Sequence, residues 1–179
     1  MLENTDTLLT LAEIAAAFAG FAALVSVIRR GSDQPANAFH DLLRLRLVIG
    51  TSVAGVAAAL IPVGLAGYGL GTALTYRLAA LIFLVFDNGI IVSFLEAYKP
   101  VRGTFDPDRL AVGIVSALEL VEQSSLVAII LGLKFGNAPA LYVTALIANI
   151  CQAGFIFVRF VSSVFRRESV SVLDRKPHD

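Results

Sequence analysis

The chain of 179 residues has no tryptophan, one cysteine, one methionine and two histidines. A single cysteine excludes a disulfide framework and a cysteine-only metal site within one chain. The histidines, His40 and His178, both fall in polar stretches, which leaves little for haem or di-iron ligation. Charge is also scarce: 16% of residues are Asp, Glu, Lys or Arg, against about a quarter in ordinary soluble domains. The 14 basic and 14 acidic residues cancel, so no basic excess points to nucleic acid. No H-E-x-x-H, Walker loop, G-x-S-x-G or zinc spacing occurs. No cofactor, no dedicated metal site and no enzymatic activity is therefore expected.

What fills the chain instead is apolar: 57% of residues are hydrophobic. A soluble domain this small has too much surface to carry that composition. A membrane span needs about 20 mostly apolar residues at 1.5 Å each, and five stretches qualify: Leu8 to Ile28, Leu42 to Ala66, Tyr76 to Ala97, Leu110 to Leu133, and Ala140 to Val164. The fold class read from this is all-α, an integral membrane bundle of five transmembrane helices in a single domain. Residues 165–179 form a short basic tail. Thr5, Asp6, Asp108 and Asn137 stand where caps belong, and Gly136 suits a left-handed helix end. Pro62 should kink the second span.

The basic residues orient the bundle. Arg29, Arg30, Arg44, Arg46, Lys99, Arg102, Arg109, Arg159, Arg166, Arg167, Arg175 and Lys176 fall on one side of the alternation, and only Arg77 and Lys134 on the other. The positive-inside rule then places the N-terminus outside and the C-terminus in the cytoplasm, as in a bacterial inner-membrane protein. Tyr68, Tyr76, Tyr98 and Tyr142 all stand at span ends, where an amphipathic ring suits the interface. Rows of small residues, Ala16 with Gly20 in span one and Gly50, Ala54, Ala57 and Ala58 in span two, permit close helix approach, within one chain or between copies. Gly67-Tyr68-Gly69 lies between two spans, as in potassium-channel filters, but no Thr-Val precedes it and no pore helix is present. It reads as a glycine-rich helix end.

Polar residues inside the spans carry the functional information. Asp87 lies eleven residues from both Tyr76 and Tyr98, with Asn88 beside it. Spacings of three and four align Ser116, Glu119 and Gln123 on one face of span four, with Glu122 on its shoulder. Asn149, Gln152, Arg159 and Ser163 form a stripe along span five. A charge at the centre of a span costs ~2.5–3.5 kcal/mol even on the permissive scale, so Asp87, Glu119 and Glu122 should face the interior, a hydrated cavity or an oligomer axis.

One reading is a polar lock between helices, since interhelical hydrogen bonds average ~0.6 kcal/mol. The other is a site for protons or monovalent cations, built on Asp87, Glu119 and Glu122. Asn88, Gln123, Asn149 and Gln152 would complete its coordination or a proton wire. Arg159 would be the internal counter-charge, paired with Glu119 or Glu96, and Glu13 would stand at the outer mouth. The acidic excess favours the ion reading: a small channel or transporter subunit acting as a homo-oligomer in the lipid bilayer. The alternatives are a non-transporting scaffold subunit with a structural polar cluster, and a lipid-binding or lipid-modifying protein using carboxylates as acid and base.

Overall fold

The computed structural model describes residues 4–28, 35–101, 108–133 and 137–174. Among them there is no strand. The elements are α1 (Thr5–Ile28), α2 (Pro35–Ala66), α3 (Thr72–Tyr98), a single 3₁₀ turn (Lys99–Val101), α4 (Arg109–Leu131) and α5 (Ala138–Asp174). All five α-helices are long and apolar enough to cross a membrane, over Thr5–Val27, Leu42–Ala66, Thr72–Tyr98, Arg109–Leu131 and Ala138–Ser162.

Two helices outrun their apolar segments. α2 starts at Pro35, seven residues before the expected span, because a proline suits the first helical position. α5 continues to Asp174, so the first ten residues of the expected tail extend the helix. At 1.5 Å per residue α5 is roughly 55 Å long, well beyond the ~30 Å of a bilayer core. Arg29, Arg30, Arg102, Lys134, Gly136, Arg175 and Lys176 lie outside the described residues.

The helix ends follow local chemistry. Asp108 Oδ1 accepts from the backbone N–H groups of Leu110 and Ala111, capping α4. Asn137 Oδ1 accepts from Ala140 N and caps α5. α4 ends at Gly132, at φ 67°, and the Arg77 guanidinium occupies the space that a Cβ there would need. The described left-handed end is thus Gly132, four residues before the glycine expected from spacing. Its conformation and the guanidinium against it both require the missing side chain.

α2 and α5 form the middle of the bundle. α1 packs on both of them; α3 also packs on both, while α4 packs on α5 and on α3. Part of the small-residue row of α2 faces inward: Ala54 and Ala58 are buried, and a Cβ on Gly55 would meet Ala15 at 3.4 Å, while Gly50 and Ala57 are half-buried. Ala16 and Gly20 of α1 point out of the bundle instead, Gly20 with nothing near it. The inward face of α1 is Leu8, Ala12, Ala15 and Ala22.

Tyr76 and Tyr142 are corrections of another kind. Both stand near the starts of their helices but are fully buried against other helices instead of facing outward. Their rings meet edge to face at 5.4 Å, and Phe83 adds a third ring 6.2 Å from Tyr142. Burying a tyrosine requires a partner for its hydroxyl, and here the Tyr142 hydroxyl donates to Ala58 O at 2.7 Å. Ala58 is the residue four before Pro62, which has no N–H to give it. The proline frees a carbonyl and the tyrosine closes it. Tyr68 stays exposed in the turn after α2, where Gly67, Tyr68 and Gly69 make i to i−3 backbone bonds.

These packed residues form two apolar layers. The larger holds Leu8, Ala58, Tyr76, Phe83, Leu126, Tyr142 and Leu146. The smaller holds Ala22, Val48 and Ile156. Between the two clusters lie single buried polar side chains: Ser52 on α2, Glu122 on α4, and Asn149 and Gln152 on α5.

Candidate functional site

The polar layer contains Ser52 of α2, Asp87 of α3, Glu122 of α4, and Asn149 and Gln152 of α5, all buried. Glu119 and Gln123 of α4 are half-buried beside them. The inward face of α4 is set by Glu122, Ser125, Leu126 and Ile129. Glu122, expected on the shoulder, is therefore the most deeply placed acid, and Ser116 faces outward.

Two glutamine amides organise the carboxylates. Gln123 Nε2 donates to Asp87 Oδ2 and to Glu119 Oε1, both at 2.7 Å. Gln152 Nε2 donates to Glu119 Oε2 at 3.2 Å and to Glu122 Oε2 at 3.3 Å. Each amide thus bridges two acids, and Glu119 belongs to both bridges. Asn88 Nδ2 donates to Gln123 Oε1 at 3.1 Å and to Leu84 O at 2.8 Å. That fixes which way the Gln123 amide points. Asn88 itself is on the outer surface of α3.

Asp87, Glu119 and Glu122 each offer an oxygen to one cluster, with those atoms within 4.8 Å of one another. Among the described residues, no basic side chain forms an ion pair with any of the three. The four N–H groups they receive are neutral. Three carboxylates this close, in a largely buried layer, need protons or a cation for charge balance. Hard cations take oxygen ligands of this kind, and neighbouring carboxyls can also share a proton. The arrangement is chemically able to do either.

The inner edge of the cluster is unfinished. Asn149 is 1% exposed, and its amide lies beside the Glu122 carboxyl. Yet Glu122 Oε1, Asn149 Nδ2, Asn149 Oδ1 and Ser52 Oγ are buried without a completed hydrogen bond. An unmade bond at a buried polar group costs ~1–3 kcal/mol. Gly55 helps to seat Asn149, since a Cβ there would stand 2.9 Å from Asn149 Oδ1.

Two expected site residues are elsewhere. The Arg159 guanidinium sits on Asp108, at 2.6 Å, with its positive centre 5.9 Å from the Phe155 ring. It is two turns along α5 from Gln152 and is the partner of the α4 cap, not of Glu119 or Glu96. A long basic side chain reaches toward the helix end rather than into a dry layer. Glu13 is exposed on α1, a helix that does not pack against α3 or α4, so it does not join the cluster. Ser52 and Gly55 were missed as site residues. The signal was one serine beside a small-residue row, which reads first as packing.

Comparison with protein families, curated proteins and solved structures finds no match to this chain.

Proposed function

We propose that the chain is a multi-pass inner-membrane protein, N-terminus outside and C-terminus cytoplasmic, that binds protons or a monovalent cation at Asp87, Glu119 and Glu122 and passes them across the bilayer as a homo-oligomeric channel or transporter subunit. The observation that carries this reading is three carboxylates from two helices sharing one cluster, with no ion pair to any of them among the described residues. The Asn149 amide adds to it, since it lies beside the Glu122 carboxyl without a completed hydrogen bond, and so does Ser52 Oγ, buried without one. Gln123, Gln152 and Asn88 hold the acids in place, and Asn149 and Ser52 extend the polar path toward α2. The outward Ala16 and Gly20 of α1, with Asn88 and Ser116 exposed along α3 and α4, suit contact between copies.

The test is flux in liposomes reconstituted with purified protein. Wild type should dissipate an imposed proton or sodium gradient. The triple variant Asp87→Asn, Glu119→Gln, Glu122→Gln should lose that flux while keeping its helicity and elution volume. Undiminished flux in the triple variant would remove the site. A scaffold reading has one observation in its favour: Gln123 and Gln152 spend both N–H groups on acids, as a polar lock would. It predicts no flux in either protein and a loss of assembly in the variant.

A further inference from the structure

A groove of about 410 Å³ runs between α2 and α3, on the outer surface and away from the acids. Its floor and walls are Leu47 and Gly50 of α2 with Phe86, Gly89 and Ile90 of α3. The two glycines open it. A Cβ on Gly89 would meet nothing within 4 Å, and one on Gly50 would touch only Ile90. One end of the groove is polar: Arg46 is exposed there and donates from Nη2 to Ser93 Oγ at 3.0 Å. That bond holds the guanidinium against the groove mouth.

Length and charge together select the occupant. Along α3 the groove spans Val85 to Phe94, roughly 14 Å at 1.5 Å per residue. That is about half of a ~30 Å hydrocarbon core, the depth of one leaflet. Arg46 is four residues inside the apolar segment that starts at Leu42, within snorkelling reach of the headgroups. A planar guanidinium with parallel N–H groups matches a phosphate bidentately.

We propose that this groove binds one anionic phospholipid of the cytoplasmic leaflet, its phosphate on Arg46 and one acyl chain along Gly50 and Gly89. The proposal rests on the membrane-spanning reading and not on the acid cluster. It is tested on the full chain purified in detergent and exposed to equal amounts of phosphatidylglycerol and phosphatidylcholine with identical acyl chains, with bound lipid counted by native mass spectrometry. Wild type should retain phosphatidylglycerol over phosphatidylcholine by about fivefold, the preference of one basic group at a headgroup. Arg46→Gln should bring that ratio close to one. Gly89→Leu puts its Cβ in open space, and should cut retention of both lipids while the circular dichroism is unchanged. Ser93→Ala, which releases the guanidinium, should lower the preference less than Arg46→Gln does. A wild-type ratio of one, full preference kept in Arg46→Gln, or undiminished lipid retention in Gly89→Leu would overturn the proposal while the chain still spans the membrane. A chain that stays dispersed without detergent would instead overturn the membrane reading on which it rests.

Discussion

Two buried polar regions lie within a few turns of each other on α5 and are finished differently. Around Tyr142 every loose end is tied: Pro62 frees the Ala58 carbonyl, the Tyr142 hydroxyl takes it, and Tyr76 and Phe83 close the rings over both. Around Asn149, two turns further on, Glu122 Oε1, both Asn149 amide atoms and Ser52 Oγ have no completed hydrogen bond. The same fold, in the same apolar surroundings, satisfies one set of polar groups and leaves the other open. Polar burial here is therefore not a general looseness of packing. Holding three acids together in the open region works against stability, and the closed region shows that the chain can do otherwise. That contrast favours a role for the acid layer beyond holding helices together.

The largest effect on this contrast should come from forcing the open region shut. A Cβ on Gly55 would stand 2.9 Å from Asn149 Oδ1, too close for the amide to stay where it is. Gly55→Ala should push Asn149 off Glu122 and cost about 1–3 kcal/mol of stability, the usual range for overpacking. Thermal unfolding in detergent would measure the cost, and the liposome assay should show reduced flux in the same variant. If flux falls with no change in stability, Asn149 serves transport more than packing. If stability falls and flux does not, the amide belongs to the frame.

A smaller effect should come from opening the closed region. Tyr142→Phe leaves the Ala58 carbonyl buried and unpaired, at about 1–2 kcal/mol. Pro62→Ala restores the N–H four residues on. In that background the same Tyr142→Phe change should cost less, because the helix closes its own bond. Equal costs in both backgrounds would show that the hydroxyl stabilises by something other than serving the proline, and the comparison with Asn149 would lose its closed half.

Much of the architecture was legible because it depends on local properties. Length and hydropathy mark the five helices, and Asp108 and Asn137 cap α4 and α5 from the positions their side chains suggest. Periodicity brings Glu119 and Gln123 to one face, and the depth of Asp87 follows from its place midway along α3. What could not be read depends on neighbours. Which side of α4 points inward is decided by α3 and α5, so Glu122 passed for a shoulder residue. A tyrosine is amphipathic and suits an interface or a core with a partner. Nothing in the sequence ties Tyr142 to a carbonyl freed 84 residues earlier. Ala16 and Gly20 have the spacing of a packing motif, yet α1 turns another face to α2 and α5. Arg159 had several acids within reach along the chain, and the choice among them was made by the approach of α4 to α5.

That choice provides the smallest and sharpest test. The Arg159 guanidinium holds the Asp108 carboxyl below the usual aspartate range, and the N–H groups of Ala111 and Leu110 act in the same direction. A carboxyl whose folded value is depressed contributes stability that is complete above its unfolded value and is lost as pH falls through the folded one. The α4 start should thus be insensitive to pH near neutrality and weaken only in acid, below the ordinary aspartate range. Asp108→Asn keeps an N-cap acceptor but removes the charge. It should flatten that acid limb while changing neutral stability little, since both side chains of the pair are more than a third exposed. Thermal unfolding of wild type and variant across acid pH reads the difference directly. An unchanged acid limb in Asp108→Asn would mean that the exposed Asp108–Arg159 pair contributes nothing measurable to the α4 start. A flattened limb leaves Asp87, Glu119 and Glu122 without Arg159 as a counter-charge, and their balance must then come from protons or a bound cation.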